Sequence, residues 1–236
     1  FIFGQDVARD SLSIRNEIGY VPGDVRFYSK MSGEFLLDYF SRFKPSKPPK
    51  LKAELIKRFD LDLTRKVSEY SKGNKQKLAI ILALMHEPRL LILDEPTLGL
   101  DPLMQREFYQ VVKEFKDRGS TVFLSSHILP EVEKVCDRVG VIRDGYLAAI
   151  ESVKEIATRK LHHLEVSFAE DVAAGFFDFP GITHLEKHNR TFRIVFKGEL
   201  DHLIKVLSQV RVLDMNLTHA SLEEVFFEFY QRGSQG

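Results

Sequence analysis

The sequence is short of several things that would each assign a class. It has one cysteine, Cys136, in 236 residues, which excludes an intrachain disulfide framework and makes a reducing compartment the simple reading. No apolar run approaches the roughly 18 residues that a membrane-spanning helix needs. The longest, at residues 78–85, is broken by His86 and Glu87. No charge of one sign dominates, because Lys plus Arg and Asp plus Glu both number 34. Composition therefore gives no electrostatic footprint for nucleic acid or for an anionic lipid surface. A signal peptide, internal repeats, low-complexity tracts and sustained heptads are all missing. The chain opens on Phe1 rather than methionine, and Phe1-Ile2-Phe3-Gly4 reads as a short strand stopped by glycine; an N-terminal truncation is expected. What is present is a globular composition, 44% hydrophobic, enough for one large domain or two modest ones.

Strand and helix signals alternate through the first two thirds. Residues 18–21 (IGYV) form an apolar strand closed by Pro22-Gly23, a strong turn dipeptide. Ser32 caps a helix with Phe35, Leu36, Tyr39, Phe40 and Phe43 along one side. Residues 44–50 (KPSKPPK) make a stiff connector, since their prolines bar a helix, and 51–59 form another short helix. The helix after Ser71 is apolar all round in its second half, which predicts burial. Residues 90–93 are a continuous apolar run ended by acids, the pattern of a central parallel strand. Asp101-Pro102 starts a helix, with aspartate as N-cap and proline at the first helical position. Met104, Phe108, Val111, Val112 and Phe115 then fall at helical spacing before Gly119. A strand at 121–124 (TVFL) runs into Ser125-Ser126-His127, a helix covers 130–139, and Asp144-Gly145 turns a hairpin between 141–143 and 146–150. The alternation predicts a layered α/β domain with a mostly parallel sheet over residues 1–151.

From about Ser152 the elements become smaller. A linking helix at 153–159 leads to a strand at 163–168, a helical segment at 172–177, and a hairpin of 183–187 with 191–196 across His188-Asn189-Arg190. A helix at 200–210 and a strand at 212–217 follow. Ser221 and Glu224 form a capping box for a last helix with Leu222, Val225, Phe226 and Phe229 on one face. The order β-α-β-β-α-β predicts a small ferredoxin-like α+β domain over residues 152–236.

Chemistry-bearing residues collect between 70 and 101 and just past 124. Asp94 and Glu95 end the buried strand, where parallel sheets gather ligands. One carboxylate there can hold Mg²⁺ through water, and its neighbour can polarise an attacking water. Acids also end strands because they prefer solvent, but two of them followed by Pro-Thr-Leu-Gly-Leu-Asp-Pro make that the weaker account. His127 follows what should be the neighbouring strand. A lone histidine is usually a surface or satisfied core residue; this one is placed to bond a terminal phosphate and to contact the catalytic acid. Asp101 is explained as an N-cap, and its loop can also face a partner subunit. Ser71, Lys72, Gly73 and Asn74 open a helix whose free N–H groups and dipole attract anions. Taken alone, they read as an ordinary cap with solvated lysines.

Together these segments resemble the nucleotide-binding domain of ATP-binding cassette (ABC) transporters. YSKGN at 70–74 resembles the LSGGQ signature, and LLILDEPT at 90–97 resembles the Walker B strand with its catalytic glutamate. GLD at 99–101 resembles the D-loop, and SSH at 125–127 the switch-histidine loop. SLEEVF at 221–226 resembles the accessory domain of ABC subunits that serve drug- and antibiotic-export permeases, so the likeness covers essentially the whole chain. The resemblance implies a P-loop NTPase-type fold with a helical subdomain at about 24–85, followed by an accessory domain. It implies ATP and Mg²⁺ as cofactors, with Asp94 at the metal, Glu95 activating water and His127 stabilising the γ-phosphate. Ser71, Lys72, Gly73, Asn74 and Asp101 are implied as nucleotide contacts in a head-to-tail dimer with a second nucleotide-binding subunit. An integral membrane permease is the other implied partner, nucleic acid is not, and the subunit sits on the cytoplasmic face of the cell membrane through that permease. Phe27, Tyr28, Phe40 and Phe43 are candidates for the permease contact.

Three departures from the family pattern stand out. No G-x-x-x-x-G-K-[ST] occurs, so the phosphate-cradling P-loop and its lysine are absent; the family places that loop upstream of Phe1, and this piece alone is expected to be inactive. Gly23 stands where the family's Q-loop glutamine would fall. Lys72 stands where the signature usually has glycine. The alternative is a non-catalytic ABC-type binding or regulatory module, if the chain truly starts at Phe1. A DNA-repair or chromosome-maintenance ATPase is disfavoured, because the coiled coil that interrupts such domains is missing.

Overall fold

A computed structural model describes residues 1–43, 49–158, 161–177, 180–198 and 200–219. Residues 44–48 of the expected connector and the last helix with its Ser221–Glu224 capping box lie outside the described residues; Pro49 and Lys50, expected in the connector, instead open the next helix, whose first turn tolerates proline. The chain divides into two compact units, Phe1–Val135 and Cys136–Gly236. The hairpin read as the end of the first domain, before a boundary at 151/152, therefore lies in the second unit.

The first unit runs α1 (Ser11–Asn16), β1 (Ile18–Val21), α2 (Gly33–Ser41), α3 (Pro49–Arg58), α4 (Lys72–Leu84), β2 (Leu90–Asp94), α5 (Pro102–Asp117), β3 (Thr121–Ser125) and α6 (Leu129–Val135). Its strands form a parallel sheet in the order β1-β2-β3, with Leu93 paired to Val21 on one side and Leu124 on the other. The apolar run at 90–93 is thus the central strand. Val21, Leu91 and Leu93 bury one face against Leu78, Ile80, Ile81 and Leu84 of α4 and Phe108, Val111, Val112 and Phe115 of α5. Each such side chain contributes about 1.5–3 kcal/mol by leaving water. Helix α4 lies close on β1 because Gly19 has no side chain: a Cβ there would sit 2.2 Å from the Ala83 carbonyl oxygen.

Three other sequence expectations for this part are corrected. Residues 1–4 are not a strand. Ile2 and Gln5 exchange backbone hydrogen bonds of 3.0 and 2.9 Å around Phe3 (φ 54°) and Gly4 (φ 75°), which is a tight turn; four apolar residues are too few for periodicity to decide. Helix α6 stops at Val135, and Val139 belongs to a strand, because pairing across the Asp144-Gly145 turn recruits the residues from Arg138 onward. In α2, Ser32 accepts from the Phe35 amide as expected, but only Gly33, Leu36 and Leu37 are buried. Phe35, Tyr39, Phe40 and Phe43 are 50%, 41%, 36% and 61% exposed and pack on one another at the surface. Helical spacing puts them on one stripe; the adjacent Leu36-Leu37 pair decides which side faces the core.

In the second unit β4 (Arg138–Arg143) and β5 (Tyr146–Ser152) form the expected hairpin, with Asp144 and Gly145 at φ 51° and 80°. There follow α7 (Val153–Thr158), β6 (Leu161–Phe168), β7 (Ile182–His188), β8 (Thr191–Lys197), α8 (Leu200–Leu207) and β9 (Val212–His219). The last four strands form an antiparallel sheet in the order β7-β8-β6-β9. This is the split arrangement of a ferredoxin-like domain, as the element order predicts. Leu164, Val166, Phe168, Phe192, Ile194, Phe196 and Leu203 make its core. The segment expected to be helical at 172–177 is only a 3₁₀ turn, Ala174–Phe177; Gly175 lowers its helix propensity.

One ion cluster fastens α3 to α5. The Arg58 guanidinium donates to Glu107, and to both oxygens of Glu114 at 2.6 and 3.0 Å. That hydrogen bonding holds the Glu114 carboxyl below its ordinary value of 4.5. A depressed carboxyl stabilises the fold above its unfolded pKa, and the contribution is lost as pH falls through the folded value. Arg58→Ala is expected to lower stability by about 2 kcal/mol at pH 7, and the gap from wild type should close below pH 4.5, checked by urea unfolding at both pH values.

Candidate active site

The carboxyl-terminal ends of β1, β2 and β3 converge on Asp94. Asp94 lies opposite Ser125 in the parallel register, and its Oδ1 accepts a 2.5 Å hydrogen bond from Ser125 Oγ. Its Oδ2 faces Gly23, where a Cβ would lie only 2.8 Å away. The glycine at the Q-loop position thus leaves this oxygen facing a bare Cα. One fixed and one uncrowded carboxylate oxygen suit a hard cation such as Mg²⁺, which takes oxygen ligands and keeps water.

Glu95 follows with φ 46°, a left-handed conformation that costs a non-glycine residue about 1–2 kcal/mol. Strand alternation explains its use. Leu91 and Leu93 point into the core, so Glu95 in a continued strand would point there too. The left-handed turn ends the alternation and swings the carboxylate outward. The Glu95 amide donates to the Ser125 carbonyl and to Ser125 Oγ, each at 3.2 Å. Glu95 Oε1 then lies 2.8 Å from His127 Nδ1. The hydrogen bond and charge of Glu95 hold the His127 imidazole above its ordinary value of 6.5.

The loop beyond Glu95 is held from below. Gln76 of α4, 3% exposed, donates to the Pro96 carbonyl at 2.9 Å. Thr97 Oγ1 donates to both oxygens of Glu131, at 3.0 and 2.9 Å, and Ser126 Oγ donates to Glu131 Oε2 at 3.2 Å. Asp101 is the N-cap of α5, its Oδ1 accepting from the Leu103 and Met104 amides at 3.0 Å each. Ser71 caps α4, accepting from the Asn74 amide at 3.2 Å.

The structure therefore brings Asp94, Glu95 and His127 into one cluster. Ser71, Lys72, Gly73 and Asn74 form a separate group at the start of α4, and Asp101 heads α5. The α4 group abuts the loop after Glu95: a Cβ on Gly73 would lie 2.6 Å from the Gly99 carbonyl oxygen, and Lys72 runs alongside Gly99. Among the described residues no hydrogen bond joins the Ser71–Asn74 group to the Asp94 cluster. Sequence reading missed Ser125, Gln76, Thr97 and Glu131 as parts of this arrangement. Ser125 was visible as the strand end opposite Asp94; the other three carry no sequence mark of burial.

Comparison with known proteins places the chain in a family. A family model described as "AAA domain, putative AbiEii toxin, Type IV TA system" matches residues 12–132. The uncharacterized ABC transporter ATP-binding protein YhcH of Bacillus subtilis is 30% identical over 234 residues, spanning 96% of this chain and 76% of its own. This chain belongs to the ABC transporter ATP-binding proteins. The bacitracin transport ATP-binding protein BcrA of Enterococcus faecalis is 31% identical over 172 residues, covering 72% of this chain and 56% of that relative. This chain thus spans only part of the curated ABC proteins it matches. A solved ATP-binding subunit of an ABC transporter superposes with a TM-score of 0.61 at 30% identity, covering 65% of this chain and 66% of the other. The ABC nucleotide-binding fold accounts for the parallel β1-β2-β3 sheet with its site at the carboxyl edge.

The His127–Glu95 pair makes a pH-dependent statement. A raised imidazole pKa means the pair is intact below the unfolded value, about 6.5, and is lost as pH rises through the folded value. Glu95→Gln is expected to bring the His127 titration back toward 6.5, read by NMR of the ring protons.

Proposed function

We propose that this chain is the ATP-binding and hydrolysing part of an ABC transporter, and that hydrolysis drives export through a separate integral membrane permease. Residues 1–151 are assigned to the ATP-binding domain, with its helical subdomain at about 24–85, and 152–236 to the accessory domain. The observation that carries the reading is the Asp94–Glu95–His127 cluster, held by Ser125 at the carboxyl edge of a parallel sheet.

In this reading Glu95 is the catalytic base. Its carboxylate, turned out of the sheet, orients the attacking water and draws its proton. His127 uses Nδ1 on Glu95, so Nε2 remains to donate toward the terminal phosphate. Asp94 offers its Oδ2 to Mg²⁺ directly or through water, beside the bare Cα of Gly23. Bound with ATP, Mg²⁺ neutralises charge on the phosphate oxygens. None of the 236 residues forms a G-x-x-x-x-G-K-[ST] loop, so the reading gives this chain the water-activating side of the site.

Ser71, Lys72, Gly73 and Asn74 are assigned to the nucleotide of a second nucleotide-binding subunit in a head-to-tail dimer. Their separation from the chain's own carboxylates supports this, as do the free amides and dipole at the α4 N-terminus. Asp101 borders the same interface while its Oδ1 caps α5. The exposed aromatics Tyr28, Phe40 and Phe43, joined by Phe35 and Tyr39, are assigned to the permease. Phe27 packs against the core instead. Among the described residues no helix is long and apolar enough to cross a membrane, so the assigned position on the inner membrane face comes through the permease. Nucleic acid is not among the proposed partners. The second reading is a non-catalytic ABC-type binding or regulatory module.

The test is ATP hydrolysis by the full-length protein. Glu95→Gln should leave ATP bound and lower turnover by about 10²–10⁴-fold, measured by phosphate release. Wild-type turnover in that variant would overturn the base assignment; a wild-type protein without turnover would favour the regulatory module.

A further inference from the structure

Glu131 sits in the first turn of α6 with 5% of its surface exposed. A buried carboxylate is expensive to desolvate, by several kcal/mol, and is kept only where its partners compensate. Its hydrogen-bond partners here are two hydroxyls from different loops. Thr97 comes from the loop after β2, and Ser126 from the loop after β3. The Tyr109 phenol of α5 is held well above its usual range by burial and then by the same carboxylate.

The placement of the two donors matters for the hydrolytic site. Thr97 is two residues beyond Glu95, and Ser126 immediately precedes His127. Glu95 and His127 are both at the ends of adjacent strands, where the ladder no longer fixes the backbone. Beyond the strands, direct hydrogen bonds between the two segments run from the Glu95 amide to Ser125 and from Glu95 to His127 itself. The Glu131 carboxylate adds a second tie, from the far side, between the same two segments.

We propose that Glu131 is a positioning residue for hydrolysis: it ties the Thr97 loop to the Ser126 loop and so sets the 2.8 Å contact between Glu95 and His127. This rests on the reading of Glu95 as the catalytic base. Glu131 does not touch substrate; it acts through the two loops it joins. Its charge also faces His127 and helps raise that imidazole, after the larger effect of Glu95.

The experiment compares Glu131→Ala, Glu131→Gln, Thr97→Val and Thr97→Ser with Glu95→Gln in the full-length protein. Turnover, KM for Mg-ATP and the NMR titration of His127 are read in each. Glu131→Ala and Thr97→Val are expected to lower kcat by about tenfold or more, with KM within about twofold, the split that marks a loss confined to the transition state. Both should also move the His127 titration toward 6.5. Thr97→Ser, which keeps the hydroxyl, should restore both readouts, and Glu131→Gln should fall between. If Glu131→Ala fails to fold, the Thr97→Val and Thr97→Ser pair decides alone. Wild-type kcat and an unshifted His127 in Thr97→Val, with Glu95→Gln inactive, would overturn the proposal while leaving the base assignment intact. Full activity in Glu95→Gln would instead remove the reading on which the proposal rests.

Discussion

The parallel register of β2 against β3 is the constraint on which the site depends. It sets Asp94 opposite Ser125, and from that single pairing three contacts follow. Ser125 Oγ fixes one oxygen of Asp94, and the Ser125 carbonyl and hydroxyl both receive the Glu95 amide. A shift of one residue would place Leu93 or Glu95 opposite Ser125 and reverse which face each side chain takes. The run at 90–93 is apolar in both parities, so the residue that opposes the shift is Asp94: it shares parity with Leu90 and Ile92, and burying it unpaired would cost several kcal/mol. The acid at the strand end therefore helps to fix the register, and the register places both carboxylates.

The left-handed backbone at Glu95 is the complement of this rigidity. Alternation would carry the next acid into the core, where an unpaired carboxylate costs several kcal/mol. A local strain of about 1–2 kcal/mol is the smaller penalty, and the strain is contained by the tight loop that follows. Buried polar groups contain it. Gln76 fixes the Pro96 carbonyl, and Glu131 gathers Thr97 and Ser126. Each is satisfied, so the network stiffens the loop without leaving an orphaned polar atom on these groups.

Much of this was legible in the residues, for reasons that differ from element to element. The central strand was readable because a bounded apolar run has few alternatives, and the helix starts at Ser32, Ser71 and Asp101 because cap chemistry is local. The ferredoxin-like strand order followed from element order alone. The orientation of α2 was not legible, since Phe35, Tyr39, Phe40 and Phe43 match the helical period as well as core residues do. The burial of Glu131 was not legible either. In sequence it is an acid in the first turn of a short helix, where acids favour the dipole and solvent. Only the approach of Thr97 and Tyr109 from distant parts of the chain, beside the nearby Ser126, turns it into a junction. Gln76 is the same case, a helical glutamine whose partner lies 20 residues away.

Gln76 and Gly73 also link the start of α4 to the loop that carries Glu95. Helix α4 begins with the Ser71–Asn74 group and, one turn later, donates from Gln76 to the loop that carries Glu95. Gly73 lets the same helix start approach the Gly99 carbonyl closely. Any displacement of the α4 N-terminus must therefore either break a buried hydrogen bond, at about 1–3 kcal/mol for the acceptor left behind, or carry the Pro96–Gly99 loop with it. The start of α4 and the Pro96–Gly99 loop are thus joined at two points, one buried hydrogen bond and one close backbone approach.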